Sequence, residues 1–157
     1  MHASSAENEF DVVIVGGGMV GASLACALAD SGLRLAVLDS QPFAAPGPAA
    51  ASAQNGPSAE QGFDPRVSAI TPASQQFLDE IGAWDSIAAQ RLSPYTDMHV
   101  WDGDGTGSIH FSAADIHADL LGHIIENSVI LAALQQRLAG RDNIILLAPV
   151  SLTGLTP

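Results

Sequence analysis

The sequence predicts an α/β fold that opens on a parallel βαβ unit, and three observations carry that prediction. A short β-branched run, Asp11 to Val15, reads as a buried strand. It feeds directly into Gly16-Gly17-Gly18-Met19-Val20-Gly21, and the small residues from Met19 to Ser31 continue as a helix with Gly32 as its C-cap. A second apolar run, Leu33 to Leu38, ends on Asp39.

The rest of the chain is punctuated less regularly. From Gln41 to Asp64 the composition turns to Ala, Pro, Gly, Ser and Gln without apolar period, which predicts a mobile surface loop over residues 41–65. Order returns at Arg66. Thr71 as N-cap and Pro72 in the first turn start a helix. Phe77, Leu78 and Ile81 form its apolar face, and Gly82 ends it. A short helical turn is expected around Asp85 to Gln90. Thr96 to Trp101 and Ser108 to Phe111 predict a β-hairpin around a Gly-rich loop. His123 to Gly140 reads mostly as helix, with Ile130, Leu131, Leu134 and Leu138 as its buried stripe. Asn143 to Ala148 is a last apolar strand, expected to lack neighbours and to leave an aggregation-prone edge. There are no internal repeats.

Composition narrows the function classes. A chain of 157 residues, 47% hydrophobic and only 14% charged, is one ordered domain with a core. Seventeen acids face five arginines and no lysine, for a net charge of −12, which speaks against nucleic acid and anionic lipid as partners. A mean hydropathy of +0.24 implies apolar faces that expect cover. The single cysteine, Cys26, forms no internal disulfide and sits among Ala25, Ala27 and Leu28, so it reads as a buried, inert thiol. No apolar run has the length of a membrane span, and the stretch before Phe10 resembles no signal or transit peptide. A cytoplasmic location is the resulting expectation. The five histidines lack the spacing of a helical metal pair, so no metal site is expected. His99 and His110 face each other across the hairpin, at positions best explained as solvent-facing. No nucleophile elbow is present, and no catalytic residue is assigned.

The glycine loop is the motif with chemistry in it. Gly16 lets the chain turn out of the strand, Gly18 lets a pyrophosphate approach the backbone, and Gly21 lets the helix pack closely on the sheet. The helix N-terminus offers free N–H groups to the phosphates. Asp39 lies 18 residues after Gly21 and is placed to accept both hydroxyls of an adenosine ribose. Strand, loop, helix, second strand and terminal acid in this order form a Rossmann-like unit for the ADP part of a dinucleotide.

With these residues in view, four stretches make the chain resemble the FAD-dependent aromatic hydroxylases of the para-hydroxybenzoate hydroxylase type. They are Asp11 to Leu28, Arg66 to Ser74, Leu92 to Asp102 and Leu121 to Leu134. The match is closest to the ubiquinone-biosynthesis branch, whose members hydroxylate polyprenylated phenols and benzoquinols. The resemblance implies an FAD-binding domain whose cofactor residues are Gly16, Gly17, Gly18, Met19, Val20, Gly21 and Asp39. Arg66 matches an arginine beside the flavin, and Asn127 a polar residue near the cofactor. Read without the resemblance, Arg66 is equally a surface arginine paired to Asp64, and Glu126 and Asn127 are equally a helix cap. The resemblance further implies NAD(P)H as co-substrate, O₂ as oxidant, an aromatic or quinol substrate, and a hairpin over 95–112 contributed to a substrate domain. It leaves room for a homo-oligomer, for peripheral membrane association and for a ubiquinone-pathway complex.

Two departures qualify the resemblance. The family's later Asp-Gly and Gly-Asp cofactor motifs do not occur, since Asp102-Gly103 and Asp104-Gly105 sit in the hairpin loop. Family members are also much longer. The chain therefore reads as an N-terminal portion, residues 1–157, incomplete relative to the family and inactive alone. Two alternatives stand beside it. An NAD-dependent Rossmann oxidoreductase would use the same fingerprint, with the Arg66 motif against it. A non-catalytic nucleotide-binding fragment is favoured by the missing motifs.

Overall fold

The computed structural model describes residues 9–43 and 63–155. Most of the loop expected over 41–65 lies outside the described residues. Its two ends, residues 41–43 and 63–65, carry no helix or strand.

The opening unit forms as its sequence dictates. Strand β1 (Val12–Val15), helix α1 (Met19–Leu28) and strand β2 (Leu35–Leu38) make a parallel pair with a crossover helix, Val12 opposite Leu35 and Val15 opposite Leu38. Helix α1 stops short of Ser31: the Ser31 hydroxyl turns back to the Leu28 carbonyl at 2.6 Å, and Gly32 takes φ +78° just beyond. In the next element, β3 (Val67–Ile70), side chains alternate between exposed and half-buried. Helix α2 (Pro72–Glu80) starts where expected, the Thr71 hydroxyl accepting from the Ser74 amide at 3.3 Å. Leu78 and Ile81 are buried, but Phe77 stays exposed, so the α2 face is narrower than predicted. A one-turn helix α3 (Trp84–Ala88) leads to β4 (Leu92–Tyr95) and the hairpin β5 (Asp97–Trp101) and β6 (Ser108–Ser112). A short 3₁₀ turn, Ala113–Ile116, follows.

The segment from His123 is the main correction. Gly122–Glu126 is a strand, β7, and only Asn127–Leu138 is helical, as α4. Strand β7 lies between β3 and β4, antiparallel to both, with Ile125 opposite Ser68 on one side and Leu92 on the other. Both of its partner strands lie far away in the chain, so the local 3.6-residue pattern carries no sign of it. The final strand, β8 (Ile144–Leu147), is also corrected. It pairs in parallel with β2, giving the order β1-β2-β8, so the expected neighbourless strand has a partner and β1 is the outer strand of the sheet on the other side.

The core fills the space between this sheet and the helices. Leu35, Val37, Ile14 and Ile144 on the sheet meet Ala22, Ala25, Cys26 and Ala29 of α1 and Val129, Ile130, Ala133, Leu134 and Leu138 of α4. The small α1 residues allow close approach of α4, close enough for the Cys26 thiol to donate to the Leu134 carbonyl at 3.6 Å. Asp30, just past α1, pairs with Arg137 and Arg141 at the end of α4. These contacts make the two helices parallel. Stepping seven residues back from Cys26 and from Leu134 reaches Met19 and Asn127, so both helix N-termini emerge at one end of the molecule.

Candidate functional site

The glycine loop and Asp39 form one continuous structure at that end. Gly16 has φ +104°, and its amide donates to the Leu38 carbonyl at 2.7 Å. The Gly17 amide donates to Asp39 Oδ2 at 2.6 Å, while the Gln41 amide donates to Asp39 Oδ1 at 2.7 Å. The carboxylate thereby ties the glycine loop to the end of β2. The three glycines of the motif differ in their surroundings. A methyl group on Gly21 would overlap the carbonyl oxygen of Gly16, whereas one on Gly18 would meet nothing within 4 Å. Gly21 is therefore required by the fold, and the open face of Gly18 is available to a ligand. Ile14, Val15, Gly16, Gly18, Met19, Val20, Gly21 and Leu24 line an open groove of about 510 Å³ beside this loop. Val20 projects from the first turn of α1 and is 85% exposed. Phe43 was not anticipated: its ring edge lies against Gly17, where a side chain on that glycine would overlap it.

Arg66 and Asn127 are brought together by backbone rather than by side chains. The Asn127 amide donates to the Arg66 carbonyl at 3.0 Å, and the Ser68 hydroxyl donates to Asn127 Oδ1 at 2.6 Å. The Arg66 side chain is 78% exposed, with Nε 3.7 Å from Asp64 Oδ1. The cap expected of Glu126 is made differently. Glu126 occupies the N-cap position of α4 without a side-chain capping bond, and Asp64 supplies the cap from outside by accepting from the Ser128 amide at 3.1 Å. Burial pushes the Asp64 carboxyl upward. Amide hydrogen bonds from Arg66 and Ser128, the Ser128 hydroxyl and the Arg66 charge outweigh it and hold the pKa below the usual 3.8.

Sequence reasoning assigned Arg91 no role and read Glu126 as a cap or, beside Asn127, as a polar residue near the cofactor, never as the partner of Arg91. The two form a forked ion pair, with Arg91 Nε donating to Glu126 Oε2 at 3.2 Å and Nη2 lying 3.0 Å from the same oxygen. A signal was present: with only five arginines against seventeen acids, a carboxylate partner for Arg91 is to be expected. Other clusters lie apart. His99 and His110 pair across the hairpin with ring centroids 6.0 Å apart, and His110 contacts Asp97 at 3.2 Å. Among the described residues no group of three His, Cys, Asp or Glu side chains converges as a metal site. Among them, too, no helix is long and apolar enough to cross a membrane.

Comparison with known proteins decides the family. The profile described as FAD-dependent oxidoreductase (DAO) matches residues 11–120, more than half of the chain. The chain belongs to the FAD-dependent oxidoreductases. Within curated proteins it is 37% identical over 145 residues to 3-demethoxyubiquinol 3-hydroxylase of Escherichia coli, covering 92% of this chain and 34% of that protein. It is 37% identical over 151 residues to ubiquinone hydroxylase UbiL of Rhodospirillum rubrum, covering 96% and 32%. It is 33% identical over 139 residues to human mitochondrial ubiquinone biosynthesis monooxygenase COQ6, covering 86% and 27%. The chain thus spans about a third of the length of the relatives it matches.

Solved structures share the fold of this FAD-dependent oxidoreductase. A Pseudomonas aeruginosa PqsL variant superposes with a TM-score of 0.62 at 19% identity, over 89% of this chain and 33% of that one. The p-nitrophenol 4-monooxygenase PnpA from Pseudomonas putida gives 0.56 at 23% identity, over 86% and 30%. The mixed α/β architecture with its parallel sheet is therefore that of flavin-binding monooxygenases. The cradle suits the cofactor: a bare backbone at Gly18, a helix N-terminus behind it, and a carboxylate at the end of β2 are what an ADP moiety requires.

Proposed function

We propose that this chain is the FAD-binding part of a monooxygenase that hydroxylates a polyprenylated phenol or benzoquinol in ubiquinone biosynthesis. The carrying observation is the glycine cradle with its open Gly18 face and its tie to Asp39. The substrate class follows from the ubiquinone hydroxylases among its relatives. In this reading Gly16 to Gly21 hold the pyrophosphate and Asp39 the adenosine ribose, exchanging its Gly17 and Gln41 partners or adding to them. Arg66 and Asn127 sit toward the flavin, which is supported by their shared end of the molecule with α1. When bound, FAD supplies the redox chemistry of oxygen transfer, with NAD(P)H as electron source and O₂ as oxidant. The residues of this chain bind and orient the cofactor.

The hairpin over 95–112 belongs, in the same reading, to a substrate domain. Met98, Val100, Ile109 and Phe111 share one of its faces, and the last three are exposed. An apolar polyprenyl tail calls for peripheral association with a membrane or a pathway complex, and a homo-oligomer is compatible with this. The test is to titrate the purified protein with FAD and with NAD, following flavin absorbance and fluorescence. Saturable FAD binding, lost in Gly18→Val with the fold retained, is the expected result. A protein that binds NAD and not FAD would overturn the reading.

A further inference from the structure

A buried carboxylate at the end of β7 carries more than a capping role. Glu126 has a side chain only 9% exposed, in a chain of net charge −12. An aliphatic side chain would fill an inward strand position at far lower desolvation cost, so the charge calls for a reason. Its oxygens accept from the Asp64 amide at 2.6 Å and from Arg91 Nε and Nη2 at 3.2 and 3.3 Å. Asp64 in turn accepts from the Arg66 amide at 2.9 Å and the Ser128 amide at 3.1 Å. The Arg66 carbonyl accepts from Asn127, the residue after Glu126, which closes a ring of polar contacts.

This ring acts on a segment that packing does not order. Phe63, Pro65, Arg66 and Val67 are all exposed. Arg91 also stands over the Phe63 ring, 4.2 Å from its centroid, so one guanidinium holds both Glu126 and the residue before Asp64. The Arg66 backbone is thus held on both sides while its guanidinium projects into solvent. A fixed stem under an open head is the arrangement of a preorganised ligand contact.

We propose that Arg91 and Glu126 are positioning residues that hold Arg66 and the first turn of α4 in register for the cofactor. This rests on the reading above that Arg66 faces FAD. The experiment is a double-mutant cycle on FAD affinity, measured by fluorescence quenching on the intact protein, with thermal midpoints recorded without FAD. Glu126→Gln is expected to weaken FAD about tenfold, the size of a direct coupling, and to have no further effect in an Arg66→Ala background. Arg91→Gln, at a side chain that is 55% exposed, gives a second route should Glu126→Gln fold poorly, and the same pattern is expected. Equal losses in both backgrounds, tracking the thermal midpoint, would overturn the positioning role and leave the FAD reading standing. Arg66→Ala with the parent's FAD affinity, or a parent that binds no FAD, would overturn the reading underneath.

Discussion

Gly18 and Gly21, three residues apart, predict opposite failures. A side chain at Gly18 enters open space, so Gly18→Val is expected to keep its thermal midpoint and lose FAD binding. A side chain at Gly21 meets the Gly16 carbonyl, so Gly21→Ala should cost about 1–3 kcal/mol of stability, read from urea midpoints. The Gly21 role was legible from spacing, because the motif encodes where a backbone must come close, and the Gly18 role is what the FAD measurement checks. The spacing makes Asp39 an expected ribose ligand and holds no sign of the tie to Gly17. Asp39→Ala should weaken FAD by about 1–3 kcal/mol, and an unchanged affinity would make it a loop anchor only. Cys26 tests burial. Loss of solvation raises its pKa from 9.0 to about 11, against the opposing pull of Arg137 and Arg141. The folded chain then keeps a proton that the unfolded chain loses, so stability is full below pH 9.0 and declines as pH rises toward about 11. Urea midpoints across that window should fall less in Cys26→Ala than in the parent.

At the scale of elements, legibility followed the distance of the partner. The β1-α1-β2 unit is built from neighbours in sequence, and its strand, turn and helix signals agree with one another. Strand β7 is built from β3 and β4, far away in the chain, and its residues run without a break into α4. The boundary is set where Asp64, 64 residues before Ser128, caps α4, and no window over 123–140 contains it. Asp64→Ala should therefore fray α4 and cost about 1 kcal/mol. Its lowered pKa makes this contribution present above the usual 3.8 and lost as pH falls through the folded value, so the parent and the variant should converge in acid.

At the scale of the molecule, the exposed apolar residues mark what is uncovered. Val15 on β1 and Val20 and Leu24 on α1 are exposed and line the groove beside the cradle. Bound FAD would lie open to water there, so the 157 residues alone are expected to hold it more weakly than about 1 μM and to show no NAD(P)H oxidation. Isothermal titration and NADPH absorbance check both, and tight binding with turnover would contradict the expectation. The sequence by itself determined the βαβ unit and the close approach at Gly21, because each is a local pattern read against a short-range geometric demand, while the flavin came from the family resemblance. The tertiary structure alone decided that β8 joins β2, that β7 is a strand, and that Glu126 belongs to Arg91 and Asp64. Each of these depends on residues that folding brings together from 27 to 109 positions away, and local periodicity holds no record of them.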